Sequence, residues 1–136
     1  MRKATGLAVV LYVDFFITFC FGVASWLYPQ ATYGTIVLLE EAGPSLVLSL
    51  LSTLSLFYVL VGLCCLAGAR MPYPYNTWIA LVMIVRHLWA GIAGIRGAEN
   101  EWVIGNPWQD VVIHSLFVLF YVFLTARVIR REYEAP

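Results

Sequence analysis

Residues 81–91 read LVMIVRHLWAG, an apolar run that Arg86 and His87 interrupt at its centre. The run belongs to a longer apolar stretch, residues 76–96, NTWIALVMIVRHLWAGIAGIR. A helix needs about 20 mostly apolar residues to cross the hydrocarbon core of a bilayer. This stretch therefore predicts a membrane-spanning helix that carries two basic side chains near its middle.

The composition of the whole chain favours a membrane protein. Of its 136 residues, 62% are hydrophobic and 12% are charged, whereas a soluble domain carries about 25% charged residues. The net charge is zero and no long basic run is present, which argues against a nucleic-acid partner. The three cysteines, Cys20, Cys64 and Cys65, lie in apolar runs without a CxxC motif, so we expect them to pack as small hydrophobic residues.

Four stretches are long and apolar enough to span a membrane, and they lie at residues 6–28, 45–68, 76–96 and 108–128. Short connections favour antiparallel neighbours, so the prediction is an all-α, antiparallel four-helix bundle forming a single membrane domain, 1–136. The first stretch is longer than the apolar region of a signal peptide and contains Asp14, so we expect a retained helix.

Charge and aromatic residues predict the orientation of the four spans. Both termini and the turn 69–75 are expected on the cytoplasmic side, and loops 29–44 and 97–107 on the outer side. The segment TIVLLEE in the first outer loop is either a short interfacial helix or a loop that dips into the headgroups. The pattern fits a bacterial plasma membrane, and an organelle membrane is the alternative. The basic residues on the predicted inner side are Arg2, Lys3, Arg70, Arg127, Arg130 and Arg131.

Ionisable side chains on three of the spans are expected at one depth. With a rise of 1.5 Å per residue, Asp14 lies about 14 Å, Arg86 about 16 Å and His87 about 18 Å from the cytoplasmic edge. His114 lies about 20 Å from the same edge, and Thr18 follows Asp14 by one turn. An Asp14–Arg86 ion pair could fix helix register only, or the layer could line a polar pocket for a ligand, a proton or a cofactor.

The two histidines allow more than one interpretation. His87 and His114 could be a packed, hydrogen-bonded pair, or they could ligate a haem b through both axial positions, with Ala90, Gly91 and Gly94 providing a gap. Asp110 and His114 stand four residues apart and are weak candidates for two metal ligands, with Glu99, Glu101 or a residue of another chain as a third. The alternative places Asp110 near a helix start, with His114 hydrogen-bonded elsewhere.

The chain is loosely similar to the DoxX-like group of small four-helix membrane proteins. The resemblance rests on length, on WLYP closing the first span, on LFYVLVGLCCLAGAR at the end of the second, and on Arg86 within the third. Some members of that group are linked, as subunits, to quinone or sulfur-compound oxidation. The resemblance implies a membrane subunit but assigns no catalytic residue.

Three functions follow as hypotheses. The first is a non-catalytic accessory subunit of a larger membrane complex, for example a redox complex. Its partners would be lipids and other membrane chains or further copies of itself. The second is a module that binds a lipid, a quinone or a haem at the polar layer. The third, a membrane enzyme using Asp14 or His114 as general acid or base, lacks a second catalytic group, so we expect no enzyme on its own.

Overall fold

The computed structural model describes residues 5–28, 44–99 and 107–134, and within them the fold is all-helical. Its four helices are α1 (Thr5–Leu27), α2 (Pro44–Arg70), α3 (Tyr75–Glu99) and α4 (Pro107–Tyr133). Each is long and apolar enough to cross a membrane. The prediction of an all-α protein with four apolar helices is thus confirmed.

The helices extend past the predicted spans at several ends. The largest extension is in α4, which continues from the predicted end at residue 128 to Tyr133. Residues 97–99, predicted as loop, form the last turn of α3. Pro44 and Pro107, the last residues of the predicted outer loops, begin helices instead. Residues 29–43 and 100–106 of those loops, including the TIVLLEE segment, lie outside the described residues.

Buried residues recur every three or four positions along the helices, as expected when one face of each helix contacts its neighbours. The buried face is not purely apolar, because serine, threonine, asparagine, aspartate and histidine occupy part of it. In α1 this face consists of Leu7, Leu11, Asp14, Thr18, Gly22 and Ser25. In α3 it includes Asn76, Ala80, Met83 and His87.

The described residues divide into two compact units, and one of them, made of residues 13–28 and 44–66, is an antiparallel hairpin of α1 and α2. Glycines let the two backbones approach closely. A Cβ atom added at Gly22 would lie 2.8 Å from Val59 N, and one added at Gly62 would lie 2.9 Å from Phe19 Cβ. Small residues allow such close packing where lipid supplies no hydrophobic drive for helix association.

The other unit, residues 5–12 and 67–134, contains the packed pair α3 and α4. Between α2 and α3 the chain turns within residues 71–74, and the Met71 N–H donates to the carbonyl of Ala67. Gly68 then packs on Ile79 at the start of α3, where an added Cβ would lie 2.8 Å from Ile79 Cγ2. The turn therefore brings the end of α2 directly against α3.

Replacing Gly22 by alanine should destabilise the protein, because the new methyl group would meet the backbone of α2. We expect a loss of about 1–3 kcal/mol in the free energy of unfolding, as for other overpacked sites. Gly91→Ala is the matched control, since its Cβ would meet only His114 Cβ at 3.9 Å. Unfolding by SDS titration in mixed micelles measures both; equal stability of the two variants would contradict the close α1–α2 approach.

Candidate functional site

Arg86 and His87 lie at the middle of α3, where His87 is residue 13 of 25. His87 is 2% exposed, and Arg86 is half-buried. The position follows from the spacing of the buried face, because His87 continues the series of Ala80 and Met83. The helix thus directs a histidine, rather than an apolar residue, at α4.

The two histidines are hydrogen-bonded directly to each other. His87 Nδ1 lies 2.8 Å from His114 Nδ1, and the ring centroids are 5.1 Å apart. A bond between two ring nitrogens needs a hydrogen on one of them and a lone pair on the other. Two imidazolium rings could not form it, so at least one of the two rings is neutral.

Arg86 sets the direction of this hydrogen bond. Its Nη1 lies 3.4 Å from His87 Nε2, and a guanidinium can only donate. His87 Nε2 therefore accepts, its hydrogen is on Nδ1, and that N–H donates to His114 Nδ1. His114 then carries its own hydrogen on Nε2, and the three residues form a chain of hydrogen bonds with a single direction.

Aromatic rings of α4 hold the His87 ring in place. Phe117 stacks on it with a centroid distance of 4.6 Å and an interplanar angle of 3°. Tyr121 lies 5.9 Å from the His87 ring and is itself fully buried. The imidazole is therefore fixed by a stacked ring on its face and by hydrogen bonds at its two nitrogens.

A partly open groove of about 330 Å³ runs between α3 and α4 beside the histidine pair. His87, Gly91 and Ser115 contribute to its lining. The Gly91 backbone leaves room there, because it has no side chain to fill the space. The remaining lining is apolar and consists of Leu88, Ile92, Ile95, Val111, Val118 and Leu119.

Asp14 and Thr18, the other members of the predicted polar layer, belong to the α1–α2 unit. Thr18 Oγ1 donates to Asp14 Oδ1 at 2.8 Å, and both residues are buried. Their spacing of four residues places them one turn apart on the same helix face. The Asp14–Arg86 ion pair stays a prediction.

The geometry of the histidine pair does not fit two axial ligands of one haem iron, because each such ligand needs a ring nitrogen directed at the iron. The two Nδ1 atoms are bonded to each other at 2.8 Å. The other nitrogen of His87, Nε2, lies 3.4 Å from Arg86 Nη1. Both nitrogens of His87 therefore already contact other side chains.

Three of the four candidate metal ligands, Asp110, His114 and Glu99, lie within the described residues. Asp110 is exposed in the first turn of α4, where a carboxylate interacts favourably with the helix dipole. Glu99 is exposed at the end of α3, and Glu101 lies outside the described residues. Within residues 5–28, 44–99 and 107–134, no group of three or more His, Cys, Asp or Glu side chains could hold a metal ion.

Sequence reasoning missed Phe117, Tyr121 and Ser115 as parts of the site. A signal was present for the two rings, because Phe117 and Tyr121 follow His114 by three and seven residues, on one face of a helix. No pattern in the sequence indicated Ser115, because its place in the groove lining depends on the rotation of α4.

Comparison with known proteins adds no assignment. No family model matches the chain, and no curated protein or solved structure matches it. The DoxX-like resemblance stays a prediction.

We expect nitrogen NMR of the histidine-labelled protein to show both rings neutral, with His87 protonated at Nδ1 and His114 at Nε2. The reason is that Arg86 can only donate to His87 Nε2. A scalar coupling across the Nδ1–Nδ1 hydrogen bond should be measurable, and His114→Ala should abolish it. An imidazolium signal from His114 would contradict the assigned direction, because both Nδ1 atoms would then be donors.

Proposed function

We propose that this chain is a small integral membrane protein that binds an amphiphilic molecule dissolved in the bilayer, a lipid or a quinone, in the groove between α3 and α4. The observation that carries the proposal is the partly buried His87–His114 hydrogen bond beside that groove. Ionisable side chains within membrane spans are expensive, and they commonly mark binding or transport sites.

The shape of the groove supports entry from the bilayer. Leu88, Ile92 and Leu119 line it and are themselves 48–66% exposed. In a membrane these side chains would contact hydrocarbon, so a molecule could slide in sideways from the lipid. A soluble ligand would have to cross hydrocarbon to reach the same place.

The chemistry of the lining indicates what part of a ligand fits. Six of the nine lining residues are apolar and bulky, which suits an acyl or isoprenoid chain. The volume, about 330 Å³, is near the lower end of the range of about 300–1,000 Å³ for small-molecule sites. We therefore infer that the groove holds one chain or one ring of a larger amphiphile, with Ser115 available to a polar substituent.

A second proposal is the accessory-subunit role, and the observation that favours it is on α2. Ser49, Ser52 and Thr53 are exposed in a helix that is apolar enough to span a membrane. Thr53 Oγ1 donates to the Ser49 carbonyl at 2.9 Å. Serine and threonine on such a face allow close approach and hydrogen bonding to another membrane helix, which would belong to another protein or a second copy of this chain.

We also propose that the protein resides in a bacterial plasma membrane with both termini in the cytoplasm. The arginines at the end of α2 and at the end of α4 support this orientation under the positive-inside rule. Arg96 and Glu99, at the end of α3, would then face outward.

Filling the groove should remove the ligand. Gly91→Leu places a side chain in the groove, and we expect the amount of co-purifying lipid or quinone to fall by roughly tenfold, the effect of losing about 1.4 kcal/mol of binding energy. Native mass spectrometry of protein extracted in mild detergent, with organic extraction of the same sample, measures this.

Ala93→Leu is the matched control, because Ala93 is exposed on the same helix outside the groove lining. Ser115→Leu, which fills the groove from α4, should repeat the effect of Gly91→Leu. Equal ligand retention in all variants would refute the groove. Wild-type protein that carries other chains and no small molecule would instead favour the accessory-subunit proposal.

The proposed orientation predicts the labelling of single cysteines by a membrane-impermeant maleimide. After Cys20, Cys64 and Cys65 are replaced by alanine, Glu99→Cys should react in intact spheroplasts, and Tyr133→Cys only after lysis. Both residues are exposed, so access depends only on the side of the membrane. The reverse pattern would show that the termini face outward.

A further inference from the structure

The end of α4 carries a cluster of exposed arginines. Arg127, Arg130 and Arg131 occupy its last two turns, and all three are exposed. Two glutamates, Glu132 and Glu134, accompany them. The cluster is independent of the groove, because no residue beyond Leu119 lines the latter.

The length of α4 places these arginines at headgroup level. The helix has 27 residues and is about 40 Å long, compared with a hydrocarbon core of about 30 Å. When Trp108 lies at one interface, a run of about 20 residues reaches the other interface near Arg127. The turns that follow then extend among the lipid phosphates.

Aromatic side chains lie at the same end of this unit. α3 and α4 are antiparallel, as the pairs Gly91–His114 and His87–Tyr121 require, so the start of α3 is on the side of the end of α4. Tyr75 and Trp78 are 61% and 64% exposed there. Exposed tyrosine and tryptophan are typical of the membrane interface, which supports the same depth for the arginines.

Charge pairing distinguishes the three arginines. Arg130 Nε donates to Glu134 Oε1 at 2.7 Å in an exposed pair, so Arg130 already has an anionic partner. Arg127 and Arg131 are four residues apart on one helix face, where like charges repel each other. An anion between them would relieve this repulsion, and a phosphate accepts hydrogen bonds from guanidinium groups in a matching geometry.

We propose that Arg127 and Arg131 bind the phosphate of an anionic phospholipid in the leaflet at the end of α4. The site recognises the lipid by its charge and by its depth, because the arginines lie where the phosphates of that leaflet lie. Arg130 contributes little as long as Glu134 holds it.

The test uses the full chain with Gly91→Leu, which closes the groove, in nanodiscs of phosphatidylcholine with and without phosphatidylglycerol. Retention of phosphatidylglycerol during collisional activation in native mass spectrometry is the readout. Arg127→Gln and Arg131→Gln should each weaken retention about fivefold, the effect expected of one basic residue at the membrane surface. Raised salt should weaken it as well.

Two matched variants sharpen the test. Arg130→Gln should change retention little, because that charge is already paired. Glu134→Gln should strengthen retention, because it releases Arg130 toward the lipid. All four variants change exposed residues of one helix end, so folding is not expected to suffer, and thermal unfolding in detergent checks this.

Equal retention of phosphatidylcholine and phosphatidylglycerol would overturn the proposal. So would unchanged retention in Arg127→Gln and Arg131→Gln, or an equal loss in Arg130→Gln. Complete competition by inorganic phosphate at the concentration of the lipid would show a site for free phosphate and would also overturn it.

Discussion

Most polar side chains on the buried helix faces find a hydrogen-bond partner inside the protein, and these bonds organise the structure. The exceptions are Ser25 Oγ and Thr125 Oγ1, which are buried with no partner in the part of the chain that the structure describes. Hydrocarbon offers no partner, so an unsatisfied polar group there is strongly unfavourable. Between α3 and α4 the partner is on the facing helix, because His87 bonds to His114. The bond fixes both the rotation and the register of the two helices, since a shift by one residue would turn one imidazole away from the other.

The two helix pairs reach close packing by different means. In the α1–α2 hairpin, Gly22 and Gly62 remove side chains from the contact and the backbones meet. In the α3–α4 pair, large rings fill the contact, with His87 stacked on Phe117. Between membrane helices such van der Waals packing and hydrogen bonding replace the hydrophobic effect. The groove lies beside this ring-filled contact, with His87 and Gly91 in its lining.

The four helices were predictable because a span in hydrocarbon must be apolar over its whole length, which a sequence displays directly. The ends of the helices were harder to predict. The apolar residues of α4 stop near Val128, but the helix continues through arginine and glutamate to Tyr133. The shared depth of His87 and His114 made a hydrogen-bonded pair one of two interpretations that the sequence allowed. Their direct bond depends on helix rotation, which requires the packing of all neighbouring side chains. The groove depends on the same rotation. The small residues of α3 indicated a gap at Gly91, but not which side chains of α4 would line it.

The groove and the arginine cluster lie in opposite directions from the histidine pair. On α3 the groove extends from His87 to Ile95, about 12 Å toward the end of that helix. The arginines lie at the other end of the antiparallel pair, with the start of α3. A molecule in the groove and a lipid at Arg127 would therefore come from opposite leaflets. Arg86 and His87 stand between the two sites, at the centre of α3.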